Sequence, residues 1–144
     1  MNKIVLILVT GIIFSSCDVR RKDKVVDGTA TAAEMAAQNT TTVEIIDSVY
    51  NFGSITEGEK VTYNFRFKNS GKNPLVVTNT TASCGCTVPD KPEKPILPGE
   101  TAFIKVVFNS TGKVGHNNKT ITVSANAEPA FPPLYLKGEV TEVK

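Results

Sequence analysis

Cys84 and Cys86 stand one residue apart in Ser83-Cys84-Gly85-Cys86-Thr87, with a glycine between them. In an extended segment, residues i and i+2 project to the same side, so both sulfurs would reach a common spot. Gly85 carries no Cβ and lets the backbone bend as a small ring requires. Three chemistries fit this spacing. A disulfide would close a very small ring, contribute little loop entropy and be easily reduced, which suits a redox pair better than a staple. Two thiolates could hold a soft ion such as Cu(I). Both cysteines could also be small buried hydrophobes at a strand end. A structural zinc site needs four ligands, and the sequence offers only one histidine, His116, and one further cysteine, Cys17. His116 falls in Gly112-Lys113-Val114-Gly115-His116-Asn117-Asn118-Lys119, which reads as a turn. There it is a low-ranking ligand beside the alternative of a solvated loop residue, and Met35 is no better placed. The metal assignment stays unknown, with no cofactor expected.

The residues around these groups do not read as a catalytic centre. Nucleophilic catalysis needs a base beside the nucleophile, and one histidine in a turn gives thin support. The glycines are spaced as turn residues, with no phosphate-cradling loop. Asp47, Glu57, Glu59, Asp90, Glu93 and Glu100 all lie in or next to turn segments and read as solvated acids. The expectation is that the protein is not an enzyme.

The elements that must position these residues are strands. Val61, Tyr63, Phe65 and Phe67 alternate with Thr62, Asn64, Arg66 and Lys68, a period of two. Ala102, Ile104, Val106 and Phe108 repeat the pattern in TAFIKVVFN after the turn at Pro98-Gly99-Glu100. LVVTNT from Leu75, KTITVSAN from Lys119 and PLYLKGEV from Pro133 read as further strands, and VEIIDSVYNFGSI as one or two more around a kink at Asp47 and Ser48. Pro89 to Glu100 carries four prolines and reads as a stiff loop, either a partner-contacting surface or protection of a sheet edge. The pattern predicts an all-β, immunoglobulin-like sandwich of about seven antiparallel strands over 43–144. The chain lacks tryptophan, so any likeness to antibody domains is architectural only.

Ahead of this domain the chain changes character twice. Residues 1–16 carry Lys3 and then an apolar run too short to span a bilayer, ending Ser15-Ser16-Cys17. A cysteine after small residues resembles the lipobox of bacterial lipoproteins, although Phe14 stands where leucine is commoner. That resemblance implies cleavage before Cys17, acylation of Cys17 and a membrane anchor. Residues 17–42 combine the basic cluster Arg20, Arg21, Lys22 and Lys24 with an Ala- and Thr-rich stretch, and are expected to form a flexible tether. The net charge of +2 falls to +1 once Lys3 is removed, which leaves no basic field for nucleic acid. The expected location is extracytoplasmic, on a cell-envelope membrane whose identity and leaflet stay open.

Taken together, YNFGSITEGEKVTYNFRFKNSGKNPLVV, SCGCT, LPGETAFIKVVFN, GKVGHNNKTITVSAN and LYLKGEV resemble an uncharacterised family of bacterial immunoglobulin-like lipoproteins. The family is common in Bacteroidetes and distantly similar to sandwich domains of the major-sperm-protein and Hydin type. The resemblance implies a seven- or eight-stranded sandwich and no particular activity. Asp47-Ser48-Val49 also resembles a Bacteroidetes O-glycosylation pattern, and Asn39, Asn79, Asn109 and Asn118 open Asn-x-Ser/Thr triplets that chance alone explains in a Thr-rich chain. The expected function is a non-catalytic binding or scaffolding module of the envelope that holds a protein or glycan. The alternative is a redox or copper-handling protein that uses Cys84 and Cys86.

Overall fold

The computed structural model describes residues 38–83 and 87–144. Eight strands follow in order: β1 (Val43–Ile45), β2 (Val49–Thr56), β3 (Lys60–Asn69), β4 (Val77–Ala82), β5 (Thr87–Asp90), β6 (Thr101–Asn109), β7 (Gly115–Ala125) and β8 (Leu134–Thr141). They form two four-stranded sheets, ordered β1-β3-β6-β5 and β2-β8-β7-β4. The expected all-β sandwich is present, with two differences. There are eight strands among the described residues, and β2 runs parallel to β8 rather than antiparallel.

The core follows from the alternation in β3 and β6. Their register sets Val61 against Phe108, Tyr63 against Val106, Phe65 against Ile104 and Phe67 against Ala102. These pairs share the inner face, while Thr62, Asn64 and Arg66 point outward. Ile121, Val123, Leu134, Leu136 and Val140 answer from the second sheet. Each fully buried large side chain contributes about 2 kcal/mol by removal from water. Tyr50 of β2 stacks on Tyr63 of β3 with ring centroids 3.8 Å apart, joining the two layers on one side. Gly138 faces inward too, and the Phe52 ring occupies the space a Cβ there would need.

The expected kink at Asp47 and Ser48 is where the chain changes sheets. The amides of Ile46 and Asp47 both donate to the Arg66 carbonyl at 3.1 Å, which ends the β1 ladder. Arg66 Nε donates to Asp47 Oδ2 at 2.7 Å, and the Arg66 amide donates to the same oxygen at 3.2 Å. One residue on, the Tyr135 amide donates to the Ser48 carbonyl at 2.8 Å and starts the second sheet. Leu75, expected to open a strand, instead makes an isolated bridge to Ile96, and β4 begins at Val77.

Residues 39–41, placed in the expected tether, are tied into the domain. Thr41 is buried; its amide donates to the Asn126 carbonyl at 2.9 Å and its hydroxyl to Asn69 Oδ1 at 2.9 Å. Asn69 Nδ2 in turn donates to the carbonyls of Asn73 at 2.8 Å and Ile96 at 2.9 Å. Asn126 Nδ2 reaches the carbonyls of Asn39 and Pro74, while its Oδ1 accepts the Val76 amide. A buried amide such as Asn69 is tolerated only when its donors and acceptors are satisfied, and Asn69 and the half-buried Asn126 satisfy theirs by drawing together segments far apart in sequence.

Candidate functional site

Cys17, Cys84 and Cys86 lie outside the described residues, as do residues 1–16 and Met35. What the structure gives is the setting of the Cys84–Cys86 segment. Ser83 follows β4 and its amide donates to the Thr120 carbonyl at 3.0 Å. Thr87 begins β5, opposite Phe108. The segment therefore connects the edge strand of one sheet to the edge strand of the other. At ~3.3 Å per strand residue, Thr120 lies roughly 20 Å along β7 from Asn126, so these flanks are far from where the chain enters the domain.

His116 is not in a turn. It belongs to β7 and stands opposite Glu139 of β8, and its Nδ1 pairs with a Glu139 carboxylate oxygen. The stretch from Gly115 to Asn118 forms strand despite its polar composition because the backbone ladder to β8 supplies its partners. The His116 side chain is almost fully exposed. Among the described residues, no three His, Cys, Asp or Glu side chains gather as a metal site.

Around His116 lies a shallow depression of about 410 Å³ on the outer face of the second sheet. Asn51 and Gly53 of β2, His116 and Asn118 of β7, and Lys137 and Glu139 of β8 line it. The hollow arises where the register of β2 on β8 shifts between Asn51 and Ser54. Gly53 sits in that bulge at φ 73°, a left-handed conformation suited to glycine, and contributes no side chain. The Gly53 amide donates to Asn51 Oδ1 at 2.9 Å. Lys137 Nζ lies 5.5 Å from the centre of the Tyr135 ring on the same strand. Of these residues the sequence marks His116 as a candidate ligand and Asn118 only as a chance glycosylation triplet; the signal for the others was the outward set Lys137 and Glu139 in the alternation of β8.

Three of the acids expected to be solvated, Asp47, Glu57 and Glu100, have structural partners. Glu57 Oε1 accepts the Gly112 amide at 2.7 Å, and Glu100 Oε2 accepts the Leu97 amide at 2.8 Å. Asp47 binds Arg66, whose side-chain hydrogen bond holds the carboxyl below its usual range against a smaller opposing effect of burial. Asp90 stands opposite Lys105 at the end of β5. Pro89, assigned from sequence to a loop, lies within β5, an edge strand, where its missing N–H is tolerated. The following Lys91 and Pro92 border a second, smaller hollow of about 240 Å³ beside Phe103, which is 53% exposed. Ser48 is exposed at the sheet switch.

Residues 43–140 match a family described as "Protein of unknown function (DUF1573)". The chain belongs to this family. No curated protein matches it. Among solved structures, it is similar to a protein of unknown function from Porphyromonas gingivalis W83, with a TM-score of 0.58 and 17% identity. That match covers 73% of this chain and 48% of the other. It is also similar to the ASH/PapD-like domain 7 of human CEP192, with a TM-score of 0.55 and 14% identity over 73% of this chain and 89% of that one. The secreted serine protease VesC of Vibrio cholerae matches with a TM-score of 0.54 and 13% identity, covering 74% of this chain but 24% of the protease. The DUF1573 chain thus spans about half of the Porphyromonas protein and a quarter of the protease. At these identities the likenesses establish the immunoglobulin-like, PapD-like fold alone.

Proposed function

We propose that this DUF1573 chain is a non-catalytic binding domain displayed on a bacterial cell-envelope membrane. Residues 1–16 serve as a lipoprotein signal, acylated Cys17 anchors the mature chain, and residues 17–38 act as a tether. The observation that carries this reading is the attachment at one end of the sandwich. The chain enters at Thr41, fixed by Asn69 and Asn126, and the opposite end is left to face away from the membrane. Support also comes from Glu57, Glu100 and Asp47, which are engaged as backbone acceptors or ion-paired rather than converging on a nucleophile. A rigid sheet face with preplaced polar groups suits recognition, since strands hold side chains more firmly than loops do.

The test is the intact mass of the protein extracted from membranes of its native host. The expected chain begins at Cys17 and carries acyl groups, and Cys17→Ser moves the protein to the soluble fraction. A membrane-extracted chain retaining residues 1–16, or a wild-type chain found only in the soluble fraction, would overturn the anchored reading.

A further inference from the structure

The depression between β2, β7 and β8 has a chemistry that selects among ligands. Its two basic side chains are already engaged, His116 with Glu139 and Lys137 with the face of Tyr135. Lys137 keeps its charge over the ring, but the Glu139 carboxylate lines the same hollow and offsets it, so no concentrated positive field faces a phosphate or carboxylate ligand. The remaining polar side chains are three primary amides, of which Asn117 is spent on the Lys113 and Gly115 carbonyls. Asn51 uses its Oδ1 on the Gly53 amide and keeps its NH₂ as donor, while the Asn118 side chain makes no hydrogen bond to a described residue. Amides and a carboxylate edge offer donors and acceptors side by side, the complement of hydroxyl groups, each of which both donates and accepts. The volume is within the range of small-ligand sites. All eight lining residues sit on strands, and the Gly53 bulge opens the hollow without a mobile loop.

We propose that this depression binds a neutral, hydroxyl-rich ligand, a segment of an uncharged polysaccharide. The proposal rests on the reading of the chain as a displayed binding domain and names the ligand class of that domain. The ligand lies across the sheet with hydroxyls bonded to Asn51, Asn118 and Glu139. A polyanion is disfavoured because it would have to displace Glu139 from His116.

The experiment is calorimetric titration of the full chain, held in a sugar-free zwitterionic detergent. The probes are cellohexaose, chitohexaose, maltohexaose and mannohexaose, with polyglutamate and heparin as charged comparisons. Saturable binding of at least one neutral hexasaccharide is expected. That binding should weaken at least tenfold in Asn118→Ala and vanish in Asn118→Trp, which fills the hollow from an exposed strand position. Should the tryptophan variant fail to fold, Asn51→Ala combined with Asn118→Ala serves in its place. Binding of none of the four neutral sugars, equal binding by the variants, or binding of the polyanions alone would overturn the proposal. If sugar binding is absent while the membrane-extracted mass shows acylated Cys17, the ligand class fails and the anchored reading stands.

Discussion

The two ends of the sandwich are held by different kinds of polar contact. Where the chain enters, Asn69 joins Thr41, Asn73 and Ile96, and Asn126 joins Asn39, Pro74 and Val76. At the opposite end the amides act locally: Asn117 Nδ2 donates to the carbonyls of Lys113 and Gly115, and Asn109 Oδ1 accepts from Thr111. Ser110 and Glu57 reach across the chain at this end, Ser110 to the carbonyls of Thr56 and Glu59 and Glu57 to the Gly112 amide. The comparison teaches where load and variation can be carried. The attachment end is cross-linked through two amides that each draw several segments together, while the far end combines self-satisfied turns with single links through Ser110 and Glu57.

Substitutions that weaken one end at a time sharpen this contrast. The largest effect is expected for Asn69→Ala, which leaves Thr41 and two carbonyls without their buried partner and should cost about 3 kcal/mol. Urea unfolding of the full chain measures it, and a cost below that of Asn117→Ala would break the comparison. Asn117→Ala should cost about 1 kcal/mol, because the turn carbonyls it serves are near solvent and can rehydrate. Asp47→Asn acts at the sheet switch and shows in pH dependence. Arg66 lowers the folded carboxyl's pKa, so the stabilisation is present above the unfolded carboxylate range and is lost as pH falls through the folded value. The wild-type advantage in urea midpoint should therefore be seen at neutral pH and disappear in acid; an advantage that persists in strong acid contradicts this origin. The smallest effect is expected for Cys84→Ser with Cys86→Ser, within about 0.5 kcal/mol of wild type, because a three-residue disulfide ring removes little unfolded-state entropy. Loss of folding in that double variant would move the load to the far end. Thiol alkylation with and without reductant, read by mass, separately decides whether the pair is oxidised.

The pattern of legibility has a physical basis. β3 and β6 could be read residue by residue because each has one buried and one solvated face, and the structure keeps both alternations. β5 was hidden because Pro89 sits inside it, permissible only at a sheet edge that the sequence does not reveal. The first turn of β7 was hidden because Gly115, His116 and Asn118 carry no apolar signal, and inward-facing Asn117 spends its amide on the preceding turn. The parallel pairing of β2 with β8 joins the first and last long strands and leaves no local trace. For the same reason the polar hollow was illegible apart from His116. Its shape comes from a bulge at Gly53 and its walls from three strands distant in sequence.

The most direct test of a displayed binding domain compares its faces in the living envelope. A photo-crosslinking benzophenone residue placed at Asn118, on the far sheet face, or at Lys72, on the attachment end, would report what each meets in the native host. The account predicts adducts from position 118 and none from position 72. Adducts from neither position, or from position 72 alone, would contradict it.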